Sequence, residues 1–356
     1  MQQLYDPFYN PEVSYEENLN HGPYGAFADG EVFTKEGEPE NEYFGNPVYL
    51  PFGIPAGPLP NESFTTAAFH KGFDICVYKT VRTRAHKTHP WPNIVPVDVD
   101  GDLTLEKAAQ GLYRKDAYTS PIAITNSFGV GSLDPDGWQP DMKKAVQKAG
   151  KGQVLVGSFQ GTNRGEGEQA FIDDHVLGAR LVKETGAKVI EMNLSCPNEG
   201  KSNLLCFDTE LVKTISQKVK EEIGDTPLVL KLAYFQDQNQ LVDFISQLSP
   251  IVDGFATINT IASAVRNKDG SQALPGEKRL KSGVCGAPIK WGGLDMVSRL
   301  QQLRTENNYE FTIVGVGGVT TVEDYNEYKK RGADVVMSAT GAMWHPYLAQ
   351  EIWKDQ

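Results

Sequence analysis

The chain has 356 residues, enough for one large α/β barrel or two ordinary domains, and its 40% hydrophobic and 22% charged content is that of a globular protein. A formal net charge of -12 excludes phosphate backbones and anionic membranes as natural partners, so an anionic ligand needs its own local positive site. The four scattered cysteines, the acidic and aromatic N-terminus, and the lack of any apolar run near the roughly 20 residues that span a bilayer predict a reduced, cytoplasmic protein.

Residues 1–45 are dominated by Asn, Glu, Gly, Pro and Tyr without periodicity, and read as an extended arm that packs on the surface or on a partner subunit. From residue 46 to residue 356 short apolar runs alternate with amphipathic helices. The runs are Phe52–Ala56, Ile75–Lys79, Ile122–Thr125, Val154–Ser158, Val189–Met192, Leu228–Leu232, Gly254–Ile258, Thr312–Val316 and Val335–Met337. Their Val, Ile and Leu show no polar alternation, as expected of parallel strands buried on both faces. Helical stripes lie at Gln169–Glu184, Thr209–Glu222, Gln238–Leu248, Leu294–Arg304 and Val322–Lys330. Such alternation over about 300 residues predicts a (β/α)8 TIM barrel with an extended N-terminal arm. One of the nine runs is surplus to it, and the early runs between Phe52 and Ser158 are where the surplus falls. Arg266–Gly286 has neither a strand nor a helix pattern and reads as a long functional loop. Arg82–Asn93, with His86 and His89, reads as a solvated basic loop, and its histidine spacing predicts no metal.

Barrel enzymes carry their chemistry at the C-terminal ends of strands. Those ends hold Ala56-Gly57, Lys79-Thr80, Asn126-Ser127, Asn193 with Ser195-Cys196, Lys231, Asn259-Thr260, Gly317-Gly318 and Thr340-Gly341. An isolated cysteine is more often a small buried core residue than a reactive one. Cys196 sits in Asn193-Leu194-Ser195-Cys196-Pro197-Asn198, and a core does not collect so many amides. Gly317-Gly318 and Thr340-Gly341 fall where barrels bind phosphate through backbone N–H groups, against the simpler reading of two tight turns. Lys79 and Lys231 end apolar strands, where a charge is costly unless it meets a carboxylate or a ligand. Two such lysines at one barrel mouth favour an anionic or electron-rich ligand.

Together these motifs, in this order, resemble the class 1 dihydroorotate dehydrogenases, from about Asn46 to the C-terminus. Cys196 stands where that class carries its catalytic base; the membrane-associated class 2 enzymes have Ser there. The resemblance implies FMN, with its phosphate at Gly317, Gly318, Thr340 and Gly341. It sets the ring near Ala56, Gly57, Lys79, Thr80, Asn126, Asn193 and Lys231, with Gly283 and Gly286 covering another edge. Dihydroorotate, leaving as orotate, would be held by Lys79, Asn126, Phe128, Gly129, Val130, Asn193, Asn198, Asn259 and Thr260. It also implies a homodimer, with fumarate or an electron-transfer subunit taking the electrons. Departures are Phe128 (usually aliphatic or Met), Ala339-Thr340 (usually Gly-Thr), an incomplete Gly-rich pattern in Ser282–Gly293, and the longer arm. Rival readings are a dihydropyrimidine dehydrogenase-like reductase, which usually has His after the motif's Pro, and a catalytically silent FMN- or phosphate-binding barrel.

Overall fold

The computed structural model describes residues 3–195, 204–277 and 279–356. Eight parallel strands close into a barrel: β1 Phe52–Ile54, β2 Ile75–Val81, β3 Val154–Phe159, β4 Val189–Asn193, β5 Leu228–Leu232, β6 Gly254–Thr257, β7 Thr312–Val316 and β8 Val335–Met337. Each strand pairs with the next in sequence, and β8 returns to β1 with Met337 opposite Gly53. Alternation along each strand sends every second side chain inward. Ile75, Val77, Val154, Val156, Val189, Val229, Val314 and Val335 thereby make one buried cluster inside the ring. Tyr43 and Val48, from the hairpin Asn41–Tyr43/Asn46–Val48, join it. Phe44 of that hairpin abuts Gly254, the first residue of β6, so the hairpin stoppers the barrel at the strands' N-terminal ends. The same inward parity carries Ser158, Glu191, Asn193 and Lys231 above the valines, toward the opposite mouth.

The outer layer is α1 Glu62–His70, α2 Pro135–Lys148, α3 Glu168–Glu184, α4 Thr209–Ile223, α5 Gln238–Leu248, α6 Lys290–Asn307, α7 Val322–Lys330 and α8 Leu348–Asp355. The α4 helix shows why such segments fold. Asp208 caps its first turn by accepting from Leu211 N at 3.2 Å, and Val212, Ile215, Val219 and Ile223 form one buried stripe. Gly224 ends it at φ 61°, a conformation that favours glycine. Burying each stripe side chain contributes roughly 1.5–3 kcal/mol.

A second sheet lies outside the ring, ordered Ile94–Pro96, Ala123–Asn126, Lys281–Gly286, Ile261–Arg266 and Leu112–Tyr113. The surplus early run is therefore Ile122–Thr125, and Asn126 stands at the end of a strand of this sheet, outside the barrel. The stretch read as a structureless loop is also corrected: Lys281–Gly286 is a strand, antiparallel to both Ala123–Asn126 and Ile261–Arg266. Its glycines hid it from a propensity reading. They are required by close approach, since a Cβ on Gly286 would lie 2.2 Å from the Ile122 carbonyl oxygen. Arg82–Asn93 is likewise not solvated throughout. Arg82 and Asn93 are buried, Arg82 Nε donates to the Val130 carbonyl at 3.0 Å, and Asn93 Nδ2 donates to the Ser127 carbonyl at 3.2 Å. The carbonyls of these crossing loops need donors, and the buried side chains supply them.

The N-terminal segment packs into the main core. Phe8 stacks on Phe27 with ring centroids 4.1 Å apart, and both belong to the cluster that holds Phe64 and Phe73. Lys35 Nζ lies 2.6 Å from the Asp74 carboxylate, which also accepts from Leu50 N at 2.6 Å.

Candidate active site

A cleft opens at the C-terminal mouth of the barrel. It is lined by Ala56 and Gly57 after β1, Lys231 of β5, Asn259 and Thr260 after β6, Val316 of β7, and Thr340 after β8. From the second sheet come Ile94, Ile124, Asn126 and Cys285, joined by Phe128 and by Tyr9 of the arm. Eight of the residues singled out in the sequence therefore share one wall: Ala56, Gly57, Asn126, Phe128, Lys231, Asn259, Thr260 and Thr340. Tyr9 and Cys285 were missed. Cys285 sat in a stretch without a readable pattern, and Tyr9 in an aperiodic one. Asn126 Nδ2 donates to Cys285 Sγ at 3.3 Å, so the thiol helps to orient an amide that faces the cleft.

Beneath the cleft the inward positions form a polar relay. The hydroxyls of Thr80 and Ser158 are 3.0 Å apart, and Ser158 donates to the Glu191 carboxylate at 3.1 Å. Glu191 faces the ammonium of Lys231, and both side chains are buried. Burial raises the Glu191 carboxyl pKa, an effect that Lys231 and Ser158 oppose. Burial lowers that of Lys231, opposed in turn by Glu191. A buried charge of this kind is retained where a ligand or counter-charge meets it. The Oγ1 atom of Thr260, which lines the cleft, has no hydrogen-bond partner among the described residues.

Lys79 is also buried, and its Nζ lies 5.6 Å from the ring centres of both Tyr15 and Phe128, a cation–π sandwich at the cleft's edge. Asn193 does not line this cleft; it faces a neighbouring one and donates to Gln160 Oε1 at 2.9 Å. Asn259, which lines the first cleft, donates from Nδ2 to the Ser195 carbonyl at 2.8 Å. Cys196 and Asn198 lie outside the described residues.

The glycines expected to cradle phosphate are positioned by packing. Gly317 and Gly318 have φ of 127° and 70°. A Cβ on Gly318 would lie 2.7 Å from the Lys290 backbone nitrogen, and one on Gly341 would lie 2.1 Å from the Val319 carbonyl oxygen. The loops after β7 and β8 thus lock against their neighbours, and neither Gly317, Gly318 nor Gly341 lines the cleft beside Thr340. Gly129 and Val130 offer carbonyls to Arg82, and Gly283 and Gly286 pack against Thr260 and Ile122. These four, with Lys79 and Thr80, surround the lining without forming it.

An eight-stranded barrel with a largely apolar cleft at its C-terminal mouth, lined by a few polar side chains and a buried lysine, defines a TIM-barrel enzyme. The chain belongs to the dihydroorotate dehydrogenase family, whose model, described as "Dihydroorotate dehydrogenase", matches residues 119–355. It is an oxidoreductase of that family. It is 33% identical over 360 residues to "Dihydroorotate dehydrogenase" of Dictyostelium discoideum, covering 97% of this chain and 96% of that one. It is 26% identical to "Dihydroorotate dehydrogenase (quinone)" of Bordetella avium, covering 85% and 80% respectively. With "Dihydroorotate dehydrogenase B (NAD(+)), catalytic subunit" of Thermodesulfovibrio yellowstonii the identity is 25%, covering 69% and 76%. Its fold is similar to that of Eimeria tenella DHODH solved with ferulenol, with a TM-score of 0.70 at 20% identity, covering 91% of this chain and 85% of that one. No helix among the described residues is long and apolar enough to cross a membrane.

Proposed function

We propose that this protein oxidises dihydroorotate to orotate in pyrimidine biosynthesis, as a class 1 enzyme with FMN as its flavin and Cys196 as its base. The observation that carries this reading is the convergence of Asn126, Asn259, Thr260 and the buried Lys231 on one cleft. A flavin fits these residues: its ring is electron-rich when reduced, Lys231 offers a buried positive charge, and Thr260 Oγ1 lacks a partner. FMN, when bound, supplies the hydride acceptor. Gly317, Gly318, Thr340 and Gly341 would hold its phosphate. Ala56, Gly57, Lys79, Thr80, Asn126, Asn193 and Lys231 would face its ring, with Gly283 and Gly286 at the far edge.

Cys196, as thiolate, removes the proton at C5 of dihydroorotate while hydride departs from C6. Asn126, Asn193, Asn198, Asn259 and Thr260 pair with the polar edge of the pyrimidine ring and its carboxylate, and Phe128, Gly129 and Val130 cover it. Lys79 adds positive charge where the substrate is anionic. Fumarate is the proposed acceptor, an electron-transfer subunit the alternative, and the assembly a homodimer in the cytoplasm. We also propose the division into an arm, 1–45, and a barrel, 46–356. The test is direct. The purified protein should be yellow, and dihydroorotate should bleach it without oxygen; a colourless protein, or a colour that dihydroorotate leaves unchanged, refutes the proposal.

A further inference from the structure

We propose that Tyr9, carried on the N-terminal arm, is a substrate-contacting and specificity-determining residue whose hydroxyl donates a hydrogen bond to an oxygen of the carboxylated pyrimidine in the cleft. The inference rests on the function proposed above. It begins from a polar atom with nothing to bond. Tyr9 is 3% exposed and lines the cleft beside Phe128, Asn126 and Asn259, and its hydroxyl is buried without a hydrogen-bond partner. Buried tyrosine hydroxyls normally find one, because leaving a donor unmet is costly. Burial also raises its pKa well above the usual value, so the oxygen keeps its proton and remains a donor.

The arm is built to hold this residue still. Tyr5 N donates to the Trp344 carbonyl at 2.9 Å, Phe8 N to the Met343 carbonyl at 3.2 Å, and Tyr24 N back to the Phe8 carbonyl at 2.9 Å. The wholly buried Asn18 clamps the next turn, accepting from Asn10 N and donating to the Asn10 carbonyl, both at 2.8 Å. Tyr9 is thus fixed on both sides in sequence, and its ring meets the edge of Phe128 at 5.9 Å and 85°. Tyr15 meets the same ring at 6.1 Å and 70°.

The arm and the aromatic residue at position 128 are therefore one feature. Phe128 supplies the surface on which the arm's tyrosines rest. Packing alone would be served equally well by phenylalanine at position 9. The hydroxyl is what packing leaves unexplained, and an acceptor oxygen on the ligand explains it.

Tyr9→Phe keeps the ring and removes only the donor, so it separates the two roles. Calorimetric titration with orotate should show Kd raised about tenfold or more, as for a lost hydrogen bond to a charged or strongly polar oxygen. The KM for dihydroorotate should rise in step, with kcat changed less than about threefold, flavin content unchanged and thermal stability equal or higher. Equal Kd for the two proteins overturns this assignment alone, as does loss of flavin in place of orotate affinity. Orotate that does not bind the wild-type protein overturns the proposed function and this assignment together.

Discussion

Replacing Lys231 by Met tests whether the polar floor of the cleft is a coupled charge pair. The methionine keeps the apolar stem and removes the positive charge that faces the buried Glu191 carboxylate, which also accepts a hydrogen bond from Ser158 at 3.1 Å. Breaking a buried pair from one side costs about 3–5 kcal/mol. Glu191 has an escape, because it can take up a proton, and that limits the penalty. An acid with an ordinary value of 4.5 that stays neutral in the folded state loses about 1.36 kcal/mol per pH unit above that value. The limit is about 5 kcal/mol near pH 8 and about 1.4 kcal/mol near pH 5.5. The sign follows from the direction of the shift. A raised carboxyl pKa gives stability that is present below the ordinary value and lost as pH rises. Lys231→Met should therefore look mild in acid and severe in base. Lys231→Met combined with Glu191→Gln should lose less than the sum of the two single changes. Urea unfolding of the four proteins at both pH values reads this. Additive losses within about 0.5 kcal/mol, or a loss independent of pH, would refute the coupling.

Cys196→Ala should lower turnover by about 10²–10⁴-fold with little change in flavin content, and wild-type flavin reduction should quicken as pH rises toward the ordinary thiol value of ~8.5. Stopped-flow bleaching checks both, and wild-type rates in the variant would move the base elsewhere. Asp74→Asn strands Lys35, only 4% exposed, and should cost about 3–5 kcal/mol in denaturant unfolding. Burial raises the Asp74 carboxyl from 3.8 to about 6, so folding takes up a proton there. That contribution is present below about 4 and lost as pH rises through about 6; the variant should lack this slope, and an unchanged slope counts against the reading. Gly341→Ala drives a methyl into the Val319 carbonyl, 2.1 Å away, and should destabilise by about 1–3 kcal/mol while loosening flavin; an unshifted urea midpoint would show that these loops yield.

The barrel was legible because its strands are buried on both faces, which makes them near-continuous apolar runs, and because Lys231 and Asn193 interrupt those runs only at their ends. Helices with clean stripes, such as Thr209–Ile223, were legible to within a residue or two, whereas the reading Leu294–Arg304 covered only the middle of Lys290–Asn307. Helices Glu62–His70 and Pro135–Lys148 were not. The first is short and threonine-containing, and the second carries Gly137 and Pro140 yet is nucleated by its Asp134 cap. The second sheet escaped because Lys281–Gly286 owes its conformation to neighbours that approach too closely for side chains, information that lies in Thr260 and Ile122. Tyr9 escaped for a related reason: its ring meets residues as distant in sequence as Phe64 and Phe128, and no local periodicity marks it.

The bonds from Tyr5 and Phe8 to the carbonyls of Trp344 and Met343 join the beginning of the chain to its end. On the ribosome Tyr5 and Phe8 must wait for Met343 and Trp344 before they can dock, so the wall that carries Tyr9 is completed only after those residues are made. Pairings so distant in sequence form late, because loop closure must precede the contacts that reward it. A chain cut short before Met343 could still assemble many of its strands, but it would lack the docking site that brings the arm across the mouth. Completion of the binding site thus doubles as a check that Met343 and Trp344 have been made and have docked.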